Sequence, residues 1–198
     1  MNRLYKSAVA VVIAAVSFAL VITAVSCAKP PLEEMNNATA AVSRAENDQD
    51  VPLYAANGLQ RAKEALNAMQ TASDAKRYDE AKQHAEEAVR YAEKAISDSK
   101  VALQRAKDDA ASALSALEAA VTETEQSIAD ARRTKQKVDF AEIDKDLTTA
   151  KTTQGEALTA NNDKKYRDAV DKSQTARGLL SSITSRLTQT VIETSRKK

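Results

Sequence analysis

The chain has 198 residues with 29 basic and 28 acidic side chains, and it contains three glycines, three prolines, one cysteine and no tryptophan. The chain therefore has no excess of basic residues, such as proteins use to attract nucleic acids or anionic lipids. A single cysteine excludes a disulfide within the chain. Glycine and proline are the poorest helix formers. Their scarcity in a chain rich in alanine and in long charged side chains therefore predicts an all-α protein.

Residues 1–27 have the order of parts found in a secretory signal. Arg3 and Lys6 precede an apolar run over residues 8–25, and this run ends in small residues before Cys27. A basic segment, an apolar segment and small residues at a cleavage site are the marks of a signal peptide. The N-terminus therefore predicts export from the cytoplasm.

The single cysteine stands at the end of this segment. The sequence Ala-Val-Ser-Cys over residues 24–27 resembles a bacterial lipobox, in which the chain is cut before the cysteine and the cysteine is acylated. We therefore predict cleavage between Ser26 and Cys27 and lipidation of Cys27. The lipoprotein signal peptide would then cover residues 1–26, and residues 27–32 would form a lipidated tether.

Other interpretations of this segment are open. An uncleaved transmembrane anchor needs about 20 apolar residues, and the apolar run comes close to that length. However, Pro30 and Pro31 follow it instead of a basic cluster that would stop transfer. The cysteine could also be a free thiol, although exported proteins usually pair or modify their cysteines. Under the lipobox interpretation, Ala28 favours the outer membrane facing the periplasm, with the cell surface as an alternative.

Two helices are predicted after the tether. Apolar residues at 3 and 4 spacing predict the first helix over residues 33–47. A polar stretch breaks it, and Pro52 then stands where the first turn of a helix tolerates proline. The second helix runs from there to a polar turn at residues 73–74.

One long central helix is predicted over residues 78–133. Small and apolar residues recur there at 3 and 4 spacing, which is typical of a coiled-coil-like seam. At about 1.5 Å per residue this helix would extend roughly 80 Å, and a break near Asp108 and Asp109 remains open. The polar residues 132–135 should end it. The seam comprises Ala81, Ala85, Ala88, Ala92, Ala95, Ser99, Ala102, Ala106, Ala110, Ala113, Leu117, Ala120, Thr124 and Ala131.

The chain also contains an internal repeat at an offset of 88 residues. The repeated unit is a helix, a polar turn and a tyrosine that opens the next helix, with Tyr78 and Tyr166 in equivalent positions. It predicts a second helical hairpin over residues 140–192. We therefore predict an elongated, antiparallel and alanine-rich helical bundle over residues 33–198. Matching pairs include Leu59 and Leu147, Ala62 and Ala150, Lys76 and Lys164, Ala81 and Ala169, and Ala88 and Ala176.

Residues 52–99 resemble the bacterial DUF4398 family. The resemblance depends on Leu53-Tyr54-Ala55-Ala56, on the following Leu59, Ala62-Lys63 and Leu66, and on the run Arg77-Tyr78-Asp79-Glu80-Ala81 with the alanines that come after it. Ala56 stands where the family pattern would place a proline. The family occurs in exported and lipid-anchored envelope proteins. The resemblance thus implies an envelope location and a helical fold, and it implies no activity.

No group of residues has the pattern of a catalytic or metal site. His84 is the only histidine, and because zinc sites need three or four converging ligands, we interpret it as a surface residue. Adjacent carboxylates such as Glu86 and Glu87 point apart on a helix. The tyrosines are interpreted as packing over hairpin turns rather than as a ligand cage. Phosphate-binding glycine loops and hydrolase motifs are missing from the sequence, so we predict no enzyme activity, no metal and no cofactor.

An anchor, a short tether and an unreactive alanine-rich bundle together indicate a mechanical or adhesive role. We expect a non-catalytic, lipid-anchored cell-envelope protein that acts as a helical spacer or a protein-interaction module. Its expected partners are the membrane and another envelope protein, and not nucleic acid. Two alternatives belong to other classes: a bundle that binds an apolar small molecule or lipid, and a surface-exposed adhesin.

Overall fold

The computed structural model of the chain describes residues 29–196, without the side chains at positions 191 and 193–196. The predicted signal peptide, the cleavage site at Ser26 and the lipidation site Cys27 lie outside the described residues. Within residues 29–196 the regular secondary structure consists of helices and includes no strand. The prediction of an all-α helical bundle is confirmed.

The described residues form six helices, and most of the predicted bounds are confirmed. The long helix begins and ends at the predicted residues and runs without a break through Asp108 and Asp109. The second hairpin begins at residue 140 as predicted and continues to Arg196 rather than ending at residue 192. The helices are α1 Leu32–Asn47, α2 Val51–Tyr54, α3 Ala56–Asp74, α4 Tyr78–Arg133, α5 Phe140–Asn162 and α6 Tyr166–Arg196.

The segment after α1 differs from the prediction of a single second helix. Pro52 does lie in the first turn of a helix, α2, and the backbone N–H of Val51 donates to the Asp48 carboxylate at 3.3 Å. However, α2 has only four residues, because Ala55 adopts φ −137° and ψ 31°, which is outside the helical region. Ala55 therefore separates α2 from α3.

The chain divides into two compact units, Met1–Ile96 and Ser97–Lys198. The first unit contains α1, α2, α3 and the beginning of α4, and their apolar faces share one core. The second unit contains the remainder of α4 together with α5 and α6, which share three successive clusters of buried residues. Each unit is thus built mainly from three helices.

The core of the first unit consists mainly of alanine. Because alanine side chains are small, the helices approach one another closely and gain their stability from contact along their length. Two ion pairs also connect α1 to its neighbours, with Lys63 Nζ 2.7 Å from Glu46 and Lys82 Nζ 2.9 Å from Glu34. The buried core residues are Ala38, Ala41, Val42, Ala45, Val51, Leu59, Ala62, Ala65, Met69, Ala85, Ala88, Ala92 and Ala95.

Gly58 allows α3 to lie close to α4 in the first unit. A β-carbon built at this position would be 3.0 Å from Cβ of Ala95 and 3.4 Å from its Cα. At Gly155 and Gly178, which lie inside α5 and α6, such a β-carbon would have no neighbouring atom within 4 Å. Only the first of the three glycines is therefore required by packing.

These surroundings predict opposite outcomes for alanine substitutions. Gly155→Ala and Gly178→Ala should each raise the free energy of unfolding by about 1 kcal/mol, since alanine is the better helix former and meets no obstacle. Gly58→Ala should lower it, because the Ala95 side chain cannot rotate away and the two backbones must separate. Urea unfolding followed by circular dichroism measures all three changes. A stabilised Gly58→Ala variant would contradict the close approach of α3 and α4.

The turns of the two hairpins have the same structure. Lys76 after α3 and Lys164 after α5 adopt left-handed backbone conformations, with φ 58° and φ 62°. In both turns the next residue's N–H donates to the carbonyl five residues earlier, at 2.8 Å and 2.9 Å. These bonds form a Schellman motif at the end of each helix. The predicted repeat of helix, polar turn and helix is confirmed.

The second unit contains larger buried side chains than the first. Leu117, Ile143, Leu180 and Ile183 are at most 1% exposed and come from α4, α5 and α6. Leu117 packs in one cluster with Leu180, and Ile143 packs in the next cluster with Ile183. Each of these side chains buries more apolar area than an alanine does, and they connect the three helices of this unit.

Polar contacts fix the connection between α4 and α5. The guanidinium of Arg132 donates to both carboxylate oxygens of Asp144 at 2.6 Å, and it lies 4.6 Å from the centroid of the Phe140 ring. The Asp139 side chain accepts hydrogen bonds from two N–H groups in the first turn of α5, at 3.0 Å and 3.2 Å. Such an N-cap satisfies donors that the helix itself leaves unpaired. The turn is thus held by its own side chains.

Candidate functional site

The predicted lipidation site precedes the helical part of the chain by a few residues. Residues 29–31 are not helical, and α1 begins at Leu32, which is 63% exposed. Among the helices within residues 29–196, none is both long enough and apolar enough to cross a membrane. Cleavage at Ser26 and lipidation of Cys27 remain predictions.

His84 lies on α4 beside one carboxylate. Its Nδ1 atom is 3.1 Å from Glu87, and Glu87 is also 3.9 Å from the guanidinium of Arg90. Within the described part of the chain, no group of three or more His, Cys, Asp and Glu side chains is arranged to hold a metal ion. His84 therefore belongs to a local cluster of charged and polar groups on the surface of α4.

Two further carboxylates of α4 have separate partners. Glu125 of α4 pairs with Lys151 of α5 at 2.6 Å, and Asp108 accepts a hydrogen bond from Gln104 at 2.9 Å. Glu125 thus connects two helices, whereas Asp108 binds a neighbour one turn away on its own helix. Neither contact brings two carboxylates to a common point, as acid–base catalysis by a carboxylate pair would require.

Glu34 and Lys82 form an ion pair between α1 and α4. The hydrogen bond from Lys82 lowers the pKa of Glu34 from its ordinary value of 4.5, and the same bond raises the pKa of Lys82 from 10.5. The contribution of Glu34 to stability is lost as pH falls through its lowered pKa, and that of Lys82 as pH rises through its raised pKa. Both groups therefore stay charged at neutral pH, which fits a structural role and not proton transfer.

An open groove of about 640 Å³ lies between α4 and α6 within the second unit. We call it the α4/α6 groove. Its apolar lining comes from alanines of α4 and from Tyr166 and Val170 of α6. Tyr166 packs at the edge of a buried alanine cluster, and its ring centroid is 6.0 Å from Nζ of Lys107. The groove is lined by Ala102, Arg105, Ala106, Asp109, Ser112, Ala113, Tyr166, Arg167, Val170, Asp171 and Gln174.

The α4/α6 groove lies where the predicted seam of α4 is incompletely covered. Along most of α4 the seam residues are buried, including Ala110 and Leu117. Ala102, Ala106 and Ala113 are only half-buried, and all three line the groove. Sequence analysis identified these alanines as seam residues but missed the groove, because the same spacing describes a seam that is covered and one that is open.

A smaller pocket of about 230 Å³ lies beside Arg186 of α6. Arg186 forms ion pairs with Glu142, at 3.3 Å, and with Asp146, both on α5. Because two carboxylates already balance this guanidinium, the pocket offers little net positive charge to an anionic ligand. We interpret Arg186 as a connection between α5 and α6. The spacing of residues along the sequence does not indicate this connection by Arg186.

Comparison with known proteins identifies a domain in the first part of the chain. Residues 33–113 match the model of a family described as Domain of unknown function (DUF4398). No curated protein and no solved structure matches the chain. The matched segment begins at α1 and extends into α4, so it is longer at both ends than the predicted residues 52–99. The chain is therefore a DUF4398 domain-containing protein, with this domain at residues 33–113.

Proposed function

We propose that this protein is a non-catalytic, lipid-anchored component of the bacterial cell envelope. The observation that carries the proposal is the lipobox-like sequence that ends at Cys27, five residues before the start of α1. Cleavage would leave Cys27 as the N-terminus, and two or more acyl chains on it would give stable membrane attachment. We place this attachment at the outer membrane, with the bundle facing the periplasm.

We further propose that the helical bundle acts as a spacer or as a protein-interaction module. The polar contacts of the described residues support a role of this kind. Ion pairs such as Lys151 with Glu125, and Arg132 with Asp144, connect neighbouring helices at the surface of the second unit. Such a bundle offers long charged faces to another envelope protein.

Replacement of the proposed lipidated residue tests the anchor. In a bacterial host that processes lipoproteins, the full chain should remain with the membrane, and its intact mass should equal residues 27–198 plus acyl groups. Cys27→Ser removes the acylated sulfur, so we expect that variant to lack acyl mass and to leave the membrane fraction. Membrane fractionation and intact-mass spectrometry measure both effects.

A neighbouring substitution serves as the matched control. Ser26→Gly keeps a small residue at the cleavage site and keeps Cys27, so this variant should still be acylated and membrane-bound. Retention of Cys27→Ser in the membrane would indicate that residues 8–25 anchor the chain without cleavage. Recovery of the unchanged chain in the soluble fraction without acyl groups would likewise overturn the proposal.

A further inference from the structure

The α4/α6 groove exposes part of the α4 seam between Ala102 and Ala113. Ala102, Ala106 and Ala113 are half-buried there, whereas Ala110 and Leu117 of the same seam are fully buried against the second hairpin. Small residues at the floor of a groove let another helix approach closely. The floor therefore resembles one side of a close helix–helix interface.

Charged residues flank this floor in the same order on both helices. On α4, Arg105 precedes Asp109 by one helical turn, and on α6, Arg167 precedes Asp171 by one turn. All four residues are exposed. None of the ion pairs within residues 29–196 involves Arg105, Asp109 or Asp171.

The two helices that carry these charges run in the same direction. Ala110 of α4 packs near Ala169 of α6, and Leu117 packs near Ala176 seven residues further along each helix. The groove therefore presents positive charge towards one end and negative charge towards the other. This pattern is complementary to itself when a second copy lies antiparallel, and it places like charges together when the second copy lies parallel.

We infer that the α4/α6 groove binds the same groove of a second copy of this chain, with the two copies antiparallel and related by a two-fold axis. The alanine floors of the two copies then cover each other. Arg105 of each copy then lies near Asp109 on α4 of its partner, as an isologous interface requires. This inference names a partner for the proposed interaction module and rests on that role, but it does not depend on lipidation of Cys27.

Site-specific crosslinking of the full chain in membranes tests the inference. Ser112 lines the groove, so Ser112→Cys treated with a short bismaleimide should yield a product of twice the chain mass. Thr152→Cys places the thiol on an exposed position of α5 that does not line the groove, and it should yield far less of this product. Because both variants retain Cys27 and the same membrane context, crowding in the membrane affects them equally.

Charge reversal in the Ser112→Cys background tests the antiparallel arrangement. Arg105→Asp replaces symmetry-related attractions by repulsions, and we expect the dissociation constant of the dimer to rise about tenfold. Adding Asp109→Arg exchanges the two charges of α4 and restores the Arg–Asp pairs between the two α4 helices, so the doubled-mass product should return. Circular dichroism checks that the helix content of each variant is unchanged.

Three results would overturn the inference. The first is an equal yield of doubled-mass product from Ser112→Cys and Thr152→Cys. The second is a failure of the Arg105→Asp, Asp109→Arg double variant to recover the yield of the Ser112→Cys parent. The third is crosslinking of Ser112→Cys only to a protein of different mass, which would assign the groove to another partner. Loss of membrane attachment in Cys27→Ser would bear on the anchor and not on this interface.

Discussion

Replacing Leu117 with alanine is expected to lower the free energy of unfolding by about 2–5 kcal/mol. Leu117 is completely buried in the second unit, where it packs with Val121, Ala150, Ala176 and Leu180. Two of these neighbours are alanines and cannot move their side chains into the space that the substitution leaves. A cavity should therefore persist. The free-energy cost of this cavity adds to the free energy lost when less apolar surface is buried. Urea unfolding followed by circular dichroism provides the measurement.

Leu158→Ala is the matched control for this substitution. Leu158 lies on α5 in the same unit and is 48% exposed. Removing the same atoms from its side chain should change the free energy of unfolding by no more than about 0.5 kcal/mol. Similar losses in the two variants would show that Leu117 does not lie in a packed core, contrary to the structure.

Enlarging a buried side chain is expected to destabilise the first unit. Ala88→Leu places three additional carbons at a position that is 0% exposed and surrounded mainly by other alanines. Since the helices of this unit are separated by little more than an alanine side chain, they must move apart to accept the larger group. We expect a loss of about 1–3 kcal/mol, measured by urea unfolding.

Ala40→Leu separates this steric effect from the helix propensity of leucine. Ala40 lies on α1 in the first unit and is exposed. Leucine and alanine differ little as helix formers, so this control should leave the free energy of unfolding almost unchanged. An Ala88→Leu variant as stable as the Ala40→Leu variant would indicate free space in the core and would count against the close packing of the alanine helices.

The helices with strong periodicity could be predicted from sequence, including both ends of α4. Tyr78 follows a polar turn, and Arg133 belongs to the polar cluster over residues 132–135, whose basic side chains favour a helix C-terminus. The 3 and 4 spacing continues through Asp108 and Asp109, and the helix does too. The break between α2 and α3 was not predicted, because Ala55 is a good helix former and the turn signal Asn57-Gly58 lies two residues further on, inside α3.

Long-range packing was less accessible to sequence reasoning. The boundary between the two units lies inside the uninterrupted helix α4, where no change of composition marks it. The α4/α6 groove was missed for a similar reason. A run of alanines shows which face of a helix is suited to packing, but the presence of a neighbour depends on where other helices end. Cys27 and Ser26 stay predictions, since they lie outside the described residues.

The short stretch before α1 limits how far the bundle can stand from its proposed point of attachment. Five residue steps connect Cys27 to Leu32, and an extended chain advances at most about 3.3–3.6 Å per residue, so this stretch reaches no more than about 18 Å. An acylated Cys27 would consequently keep the first turn of α1, with its exposed Leu32, in a zone within about 18 Å of the membrane surface. Any distance that the protein bridges beyond that zone must come from its helices.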